Sequence, residues 1–174
     1  MNGKVIGVVG KTGEGKTSYI KKFSQKLKTK NTVCYLRISD DWNDDDVKKF
    51  TNFKEFIKYA NTQKNTLFII DEAFTCLPEK LNVKMNKPRD LNNLLADFLV
   101  NARKLNNFVF IIFHALSQVP TKWLIPYLDY FVRFATQDFI DVQIRRFKSF
   151  LNIVRSFIDY PEVEKYKPIV LKLR

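Results

Sequence analysis

The chain has 174 residues, 45% of them hydrophobic and 14% aromatic, which is enough for one domain with a sizeable core. Its net charge of +12 favours a polyanionic partner such as nucleic acid, and no apolar run approaches the roughly 20 residues of a membrane helix. Two scattered cysteines, Cys34 and Cys76, with a single histidine argue against a disulfide framework and against a cysteine metal site. A reducing compartment is therefore expected, and with a strand beginning within a few residues of Met1 no signal peptide is expected.

Val5-Ile6-Gly7-Val8-Val9 reads as a buried strand, and Ser18 to Leu27 has helical spacing at Tyr19, Ile20, Phe23 and Leu27. Between them Gly10-Lys11-Thr12-Gly13-Glu14-Gly15-Lys16-Thr17 spells G-x-x-x-x-G-K-[ST], the pattern of a phosphate-binding loop between strand and helix. Residues Gly10 to Ser18 are thus the expected nucleotide contacts. Gly13 and Gly15 let backbone N–H groups converge on a phosphate. Lys16 can reach the β/γ-phosphates of ATP, and the Thr17 hydroxyl can ligate Mg²⁺.

Thr32 to Ile38 reads as a second strand, and the acidic stretch Asp44 to Asp46 as the cap of a helix running to about Ala60. That helix would carry Val47, Phe50, Phe53, Phe56 and Ile57 on its apolar face. Thr66 to Ile70 is an apolar strand ending in Asp71-Glu72, like a Walker B motif. Asp71 can hold Mg²⁺, and Glu72 is placed to accept a proton from an attacking water. A water-activating Glu fits hydrolysis coupled to movement better than phosphoryl transfer to a substrate hydroxyl.

Phe74 to Asp90 is irregular and basic, with Lys80, Lys84, Lys87 and Arg89. Asp90 should cap a helix through about Leu105, packed through Leu91, Leu94, Leu95, Phe98, Leu99 and Ala102. Phe108 to Phe113 is a buried strand ending at His114, a residue placed to contact the γ-phosphate or the attacking water, with Ser117 and Gln118 close behind. A short helical turn at Trp123 to Tyr127, a strand at Tyr130 to Ala135, a helix at about Asp138 to Ile158 and a last strand at Pro168 to Leu173 complete the chain. Strands alternating with helices imply an α/β fold with a mostly parallel sheet covered on both faces.

Four segments resemble the FtsK/HerA superfamily of DNA-pumping ATPases, and within it the viral genome-packaging ATPases. They are the loop at 10–17, Ile-Ile-Asp-Glu-Ala at 69–73, Asn-Ala-Arg-Lys at 101–104 and His-Ala-Leu-Ser-Gln-Val-Pro at 114–120. The resemblance implies a single domain over 1–174 with a three-layer RecA-like P-loop NTPase fold of the ASCE type. It further implies a homo-oligomeric ring, hexamer or pentamer, with ATP between subunits. Arg103 is the first candidate for an arginine finger, with Arg89, Arg133, Arg145 and Arg146 behind it. The basic loop from Lys80 to Arg89 would grip DNA in a central pore, and capsid vertex proteins are possible docking partners. The expected setting is the host cytoplasm or the virion. The alternatives are a phage morphogenesis ATPase of the zonula-occludens-toxin type and a small-molecule kinase.

Overall fold

The computed structural model describes residues 2–27, 29, 31–35, 47–84, 90–134 and 167–174. Its elements in chain order are β1 (Lys4–Val9), α1 (Lys16–Ser24), β2 (Asn31–Tyr35), β3 (Val47–Phe50), α2 (Phe53–Ala60) and β4 (Thr66–Ile70). They continue with α3 (Leu91–Asn101), β5 (Phe108–Phe113), α4 (Thr121–Leu124), β6 (Tyr130–Arg133) and β7 (Ile169–Lys172). Short 3₁₀ turns occupy Ala73–Thr75, Leu116–Gln118 and Ile125–Tyr127.

The seven strands form one sheet in the order β3-β2-β4-β5-β1-β6-β7, in which β7 runs antiparallel to β6 and every other pairing is parallel. The expected α/β architecture with a mostly parallel sheet is what the chain adopts. In a parallel sheet the C-terminal ends of the strands gather at one edge. Val9 pairs with both Phe113 and Arg133, and Tyr35 with Ile70, so the loops after β1, β4 and β5 emerge side by side. Such an edge is where ligands bind in open α/β sheets.

Each face of the sheet has its own apolar layer. On one, Val5, Phe68, Ile70, Val109, Ile111 and Phe113 pack against Phe56 and Ile57 of α2 and Leu95, Phe98 and Leu99 of α3. Phe98 meets Phe68 edge-on at 5.1 Å, and Phe56 meets the same ring at 5.9 Å. Each fully buried Phe contributes about 1.5–3 kcal/mol, and edge-to-face pairing adds to that. On the other face, Ile20 of α1 is buried against Ile6, Val8, Ile69, Phe110 and Ile112, with Tyr19 and Phe23 alongside. The core is thus divided by the sheet, and α1 is anchored directly beneath the phosphate loop.

The structure corrects three element boundaries. The helix expected to begin near Asp46 starts only at Phe53, and Val47–Phe50 is a parallel edge strand pairing Thr32 to Tyr35. The spacing of Val47, Phe50 and Phe53 fits a helix, but Asn52 breaks it. The Asn52 side chain accepts hydrogen bonds from the Lys54 and Glu55 backbone N–H groups, so it caps α2. Regular helix α3 ends at Asn101, and hydrogen-bonded turns carry the chain on to Asn106, whose left-handed φ of 56° turns it into β5. Helix α1 begins two residues earlier than its apolar spacing indicated, since Gly15 takes the N-cap position. The expected acidic cap at Asp44 to Asp46, the end of the second strand at 36–38 and the helix at 138–158 lie outside the described residues. Among the described residues, no helix is long and apolar enough to cross a membrane.

Candidate nucleotide-binding site

The chain leaves β1 at Val9 and enters a loop whose glycines have distinct jobs. Gly10 packs so closely under Phe134 that a Cβ would fall 2.5 Å from the Phe134 Cβ. Gly13 and Gly15 have φ of 83° and 90°, conformations that L side chains adopt at a cost. The loop closes on the first turn of α1, whose unpaired N–H groups and dipole favour an anion at that point.

Lys16 lies at the centre of this cradle. Its ammonium donates to the carbonyls of Gly10 at 2.6 Å and Lys11 at 2.7 Å, and only 7% of the residue is exposed. Burial lowers its pKa, and the charges of Asp71 and Glu14 act the other way. Lys11, Glu14, Gly15 and Thr17 are partly buried on the same loop, while Thr12, Gly13 and Ser18 are exposed. One carboxylate oxygen of Glu14 is buried with no hydrogen-bond partner.

Asp71 follows β4, with its N–H bonded to the Tyr35 carbonyl at 3.2 Å. Burial raises the pKa of its carboxyl, and the hydrogen bond from the Glu72 N–H and the nearby His114 and Lys16 oppose that rise. Glu72 itself has a left-handed backbone, φ 45°, which turns its side chain outward, and the carboxylate is half-exposed. Its Oε1 lies 4.0 Å from His114 Nε2. The other ring nitrogen of His114 lies 3.5 Å from the Thr12 hydroxyl. The three loops after β1, β4 and β5 therefore meet through Thr12, His114 and Glu72.

The backbone of His114 is fixed by Gln118, whose side-chain oxygen accepts from the N–H groups of His114 at 2.9 Å and Ala115 at 3.2 Å. The sequence pointed to Gln118 as a polar neighbour of His114, but the cap it makes is visible only in three dimensions. Phe74 sets its ring edge against the imidazole at 6.3 Å between centroids, a contact without any sequence signal.

Arg103 is not brought to this site. Its Nε donates to both carboxylate oxygens of Asp129 at 2.9 and 3.0 Å, and its Nη2 donates to the Tyr127 carbonyl. The Val5 N–H also donates to Asp129, which places the whole group at the start of β1, the far end of the strand from the phosphate loop. Arg103, expected to act on a neighbouring subunit's site, is held within its own chain by an ion pair to Asp129. Of the other candidates, Arg133 is buried at the end of β6, where loss of solvent lowers its pKa to about 10. Arg89, Arg145 and Arg146 lie outside the described residues. Cys34 and Cys76 are free, and burial pushes both thiols up to about 12.

A buried lysine inside a glycine loop, a helix N-terminus and a carboxylate pair at the end of β4, one strand removed from β1, define a P-loop nucleoside triphosphatase. The chain belongs to the AAA family, the ATPase family associated with various cellular activities, whose sequence pattern matches residues 6–134. No curated protein matches the sequence. Among solved structures, the genome packaging NTPase B204 from Sulfolobus turreted icosahedral virus 2, in complex with ATP-γS, is similar with a TM-score of 0.73. The match is 13% identical and covers 99% of this chain and 93% of that one. B204, the DNA-packaging ATPase from Sulfolobus turreted icosahedral virus, matches at TM-score 0.72 and 10% identity, over 99% and 94% of the two chains. The N-terminal domain of zonular occludens toxin from Neisseria meningitidis matches at 0.51 and 13% identity, over 79% of each. At these identities the likeness is one of fold.

Proposed function

We propose that this ATPase is a motor of the FtsK/HerA type that moves DNA, most naturally into a viral capsid. In this reading residues 1–174 form a single motor domain that works as a homo-oligomeric ring in the host cytoplasm or the virion. The observation that carries it is the Glu72 carboxylate at the mouth of the phosphate loop, turned outward by its left-handed backbone and facing His114. A base in that position serves hydrolysis, because a kinase delivers phosphate to a substrate hydroxyl and gains nothing from activating water.

Two oxygen donors fit Mg²⁺. The Thr17 hydroxyl follows Lys16 on α1, and the half-buried Asp71 carboxyl has a raised pKa, which a hard cation would relieve. Bound with ATP, Mg²⁺ supplies positive charge that neutralises the β- and γ-phosphate oxygens. Lys16 and the loop N–H groups hold the same phosphates. Glu72 takes a proton from the water that attacks the γ-phosphorus, while His114 orients Glu72 and reports on the loop through Thr12.

The net charge of +12 and the fold shared with packaging NTPases over nearly the whole chain support DNA as the cargo. The zonular occludens toxin domain supports a second reading, an ATPase that handles virion proteins, through its likeness over 79% of the chain. ATPase rate with and without DNA, measured beside the oligomeric mass, separates the two. DNA-stimulated turnover by an assembled ring is expected. ATPase activity indifferent to DNA would leave the second reading in place, and a substrate-dependent phosphoryl product would overturn both.

A further inference from the structure

The segments that follow β4 and β5 do more than carry Glu72 and His114. Between them lies a groove of about 510 Å³. Phe74 forms one wall, Ser117 and Gln118 the other, and Lys80 and Lys122 stand at its rim with Glu79 as its one acid. Phe74 is 44% exposed, an unusual state for a large aromatic residue. Trp123 ties the two segments together, since its Nε1 donates to the carbonyls of Pro78 at 2.9 Å and Glu79 at 3.1 Å. The spacing between the Lys80 and Lys122 sides of the groove is therefore held by the fold.

We propose that this groove binds a nucleic-acid strand, with Lys80 and Lys122 on backbone phosphates, the Ser117 hydroxyl on a phosphate oxygen and Phe74 stacked on a base. The proposal rests on the motor reading and assigns its DNA contact to particular residues. Two cationic side chains flanking an exposed ring are what a polyanion with planar bases requires. An acidic peptide would use the lysines and leave the ring without a partner.

The groove also shares parts with the ATP site. Phe74 lies two residues after Glu72 and touches the His114 ring. Gln118 lines the opposite wall and holds the backbone of His114 and Ala115. A shift of His114 or Glu72 during turnover therefore moves both walls. That arrangement passes the state of the nucleotide to the strand by contact, with no intervening domain.

The test compares the wild-type protein with Lys80→Glu/Lys122→Glu and with the milder Lys80→Gln/Lys122→Gln. Binding of a fluorescein-labelled duplex and of a single strand is read by anisotropy across a salt series, and ATPase is read without DNA. Both lysines are exposed, so the fold should tolerate the changes. The neutral variant should lose about tenfold in affinity, and its log–log salt slope should fall by about 0.9 per lost phosphate contact on duplex. Basal ATPase should stay unchanged. A photoreactive base in the strand should crosslink within 74–80 or 117–122. Unchanged affinity and slope in both variants, with wild type binding normally, would overturn the groove and leave the motor reading standing. Loss of basal ATPase with DNA binding would make the lysines structural, and polyglutamate competing as well as DNA would make the site one for acidic protein. A wild-type protein that binds no DNA would overturn the motor reading itself, and the groove assignment with it.

Discussion

At the scale of single residues the site is built under electrostatic tension, and that tension predicts behaviour. Asp71 has a raised pKa because it is partly withdrawn from solvent. A carboxyl that binds its proton more tightly in the folded state contributes most below its ordinary value of 3.8, and that contribution is lost as pH rises through the raised value. The raised value implies that at neutral pH the half-buried Asp71 carboxylate is held at a cost. Asp71→Asn removes the charge and keeps an oxygen to accept the Glu72 N–H. It should melt at a higher temperature than wild type at pH 7, with the gap closing below pH 4, and its Mg²⁺-dependent turnover should be lost. A lower melting temperature at pH 7 would show that Asp71 is compensated without a cation. Lys16→Ala removes a charge-assisted contact to phosphate worth about 1.5–3 kcal/mol, so the Kd for ATP should rise tenfold or more. Glu72→Gln should bind ATP as wild type does and stall before product formation, because an amide cannot accept the proton of the attacking water. Single-turnover measurements distinguish the two variants, and normal hydrolysis by Glu72→Gln would remove the base from the mechanism.

At the scale of elements, what was legible depended on how local the signal is. The phosphate loop, β4 with its two carboxylates, and β5 ending at His114 could all be read from the chain, because buried parallel strands are continuous apolar runs and the loop chemistry is contiguous in sequence. Strand β3 could not be read. Its four residues, Val47-Lys48-Lys49-Phe50, are an edge strand defined by pairing with β2, and the pattern mimics a helical turn. The setting of Arg103 could not be read for a related reason. Its partner Asp129 lies 26 residues away, and nothing in the spacing connects them. The ion pair makes a firm prediction. Asp129 is 3% exposed, and without Arg103 it retains the Val5 N–H and a distant Lys4 at 3.8 Å. Breaking a buried pair from one side costs about 3–5 kcal/mol, so Arg103→Ala should shift the denaturation midpoint strongly downward. It should also fail to complement Lys16→Ala subunits in mixed assemblies. A variant of wild-type stability that is inactive alone and recovers activity on mixing would make Arg103 an arginine finger.

Whether one chain is a complete enzyme depends on where the whole molecule places its arginines. Hydrolysis of ATP develops charge on the γ-phosphoryl group that P-loop ATPases neutralise with an arginine beyond the P-loop lysine. The described arginines are Arg103, Arg133 and Arg174. Arg103 is held at the start of β1, and Arg174 follows β7, whose Lys172 pairs with Tyr130 at that same end of the sheet. Arg133 is buried within the fold. None of these three described arginines stands on the open side of this chain's own phosphate loop. In the ring of the proposed function a neighbouring copy supplies that charge, and dilution tests it. Specific ATPase activity should rise with protein concentration and level off where the oligomeric mass levels off. Glu72→Gln subunits added to wild type should then depress activity by more than their share, since each occupies an interface as well as a site. Constant specific activity down to concentrations where the protein is monomeric would show that every catalytic charge is supplied in cis, and the shared-site ring would be abandoned.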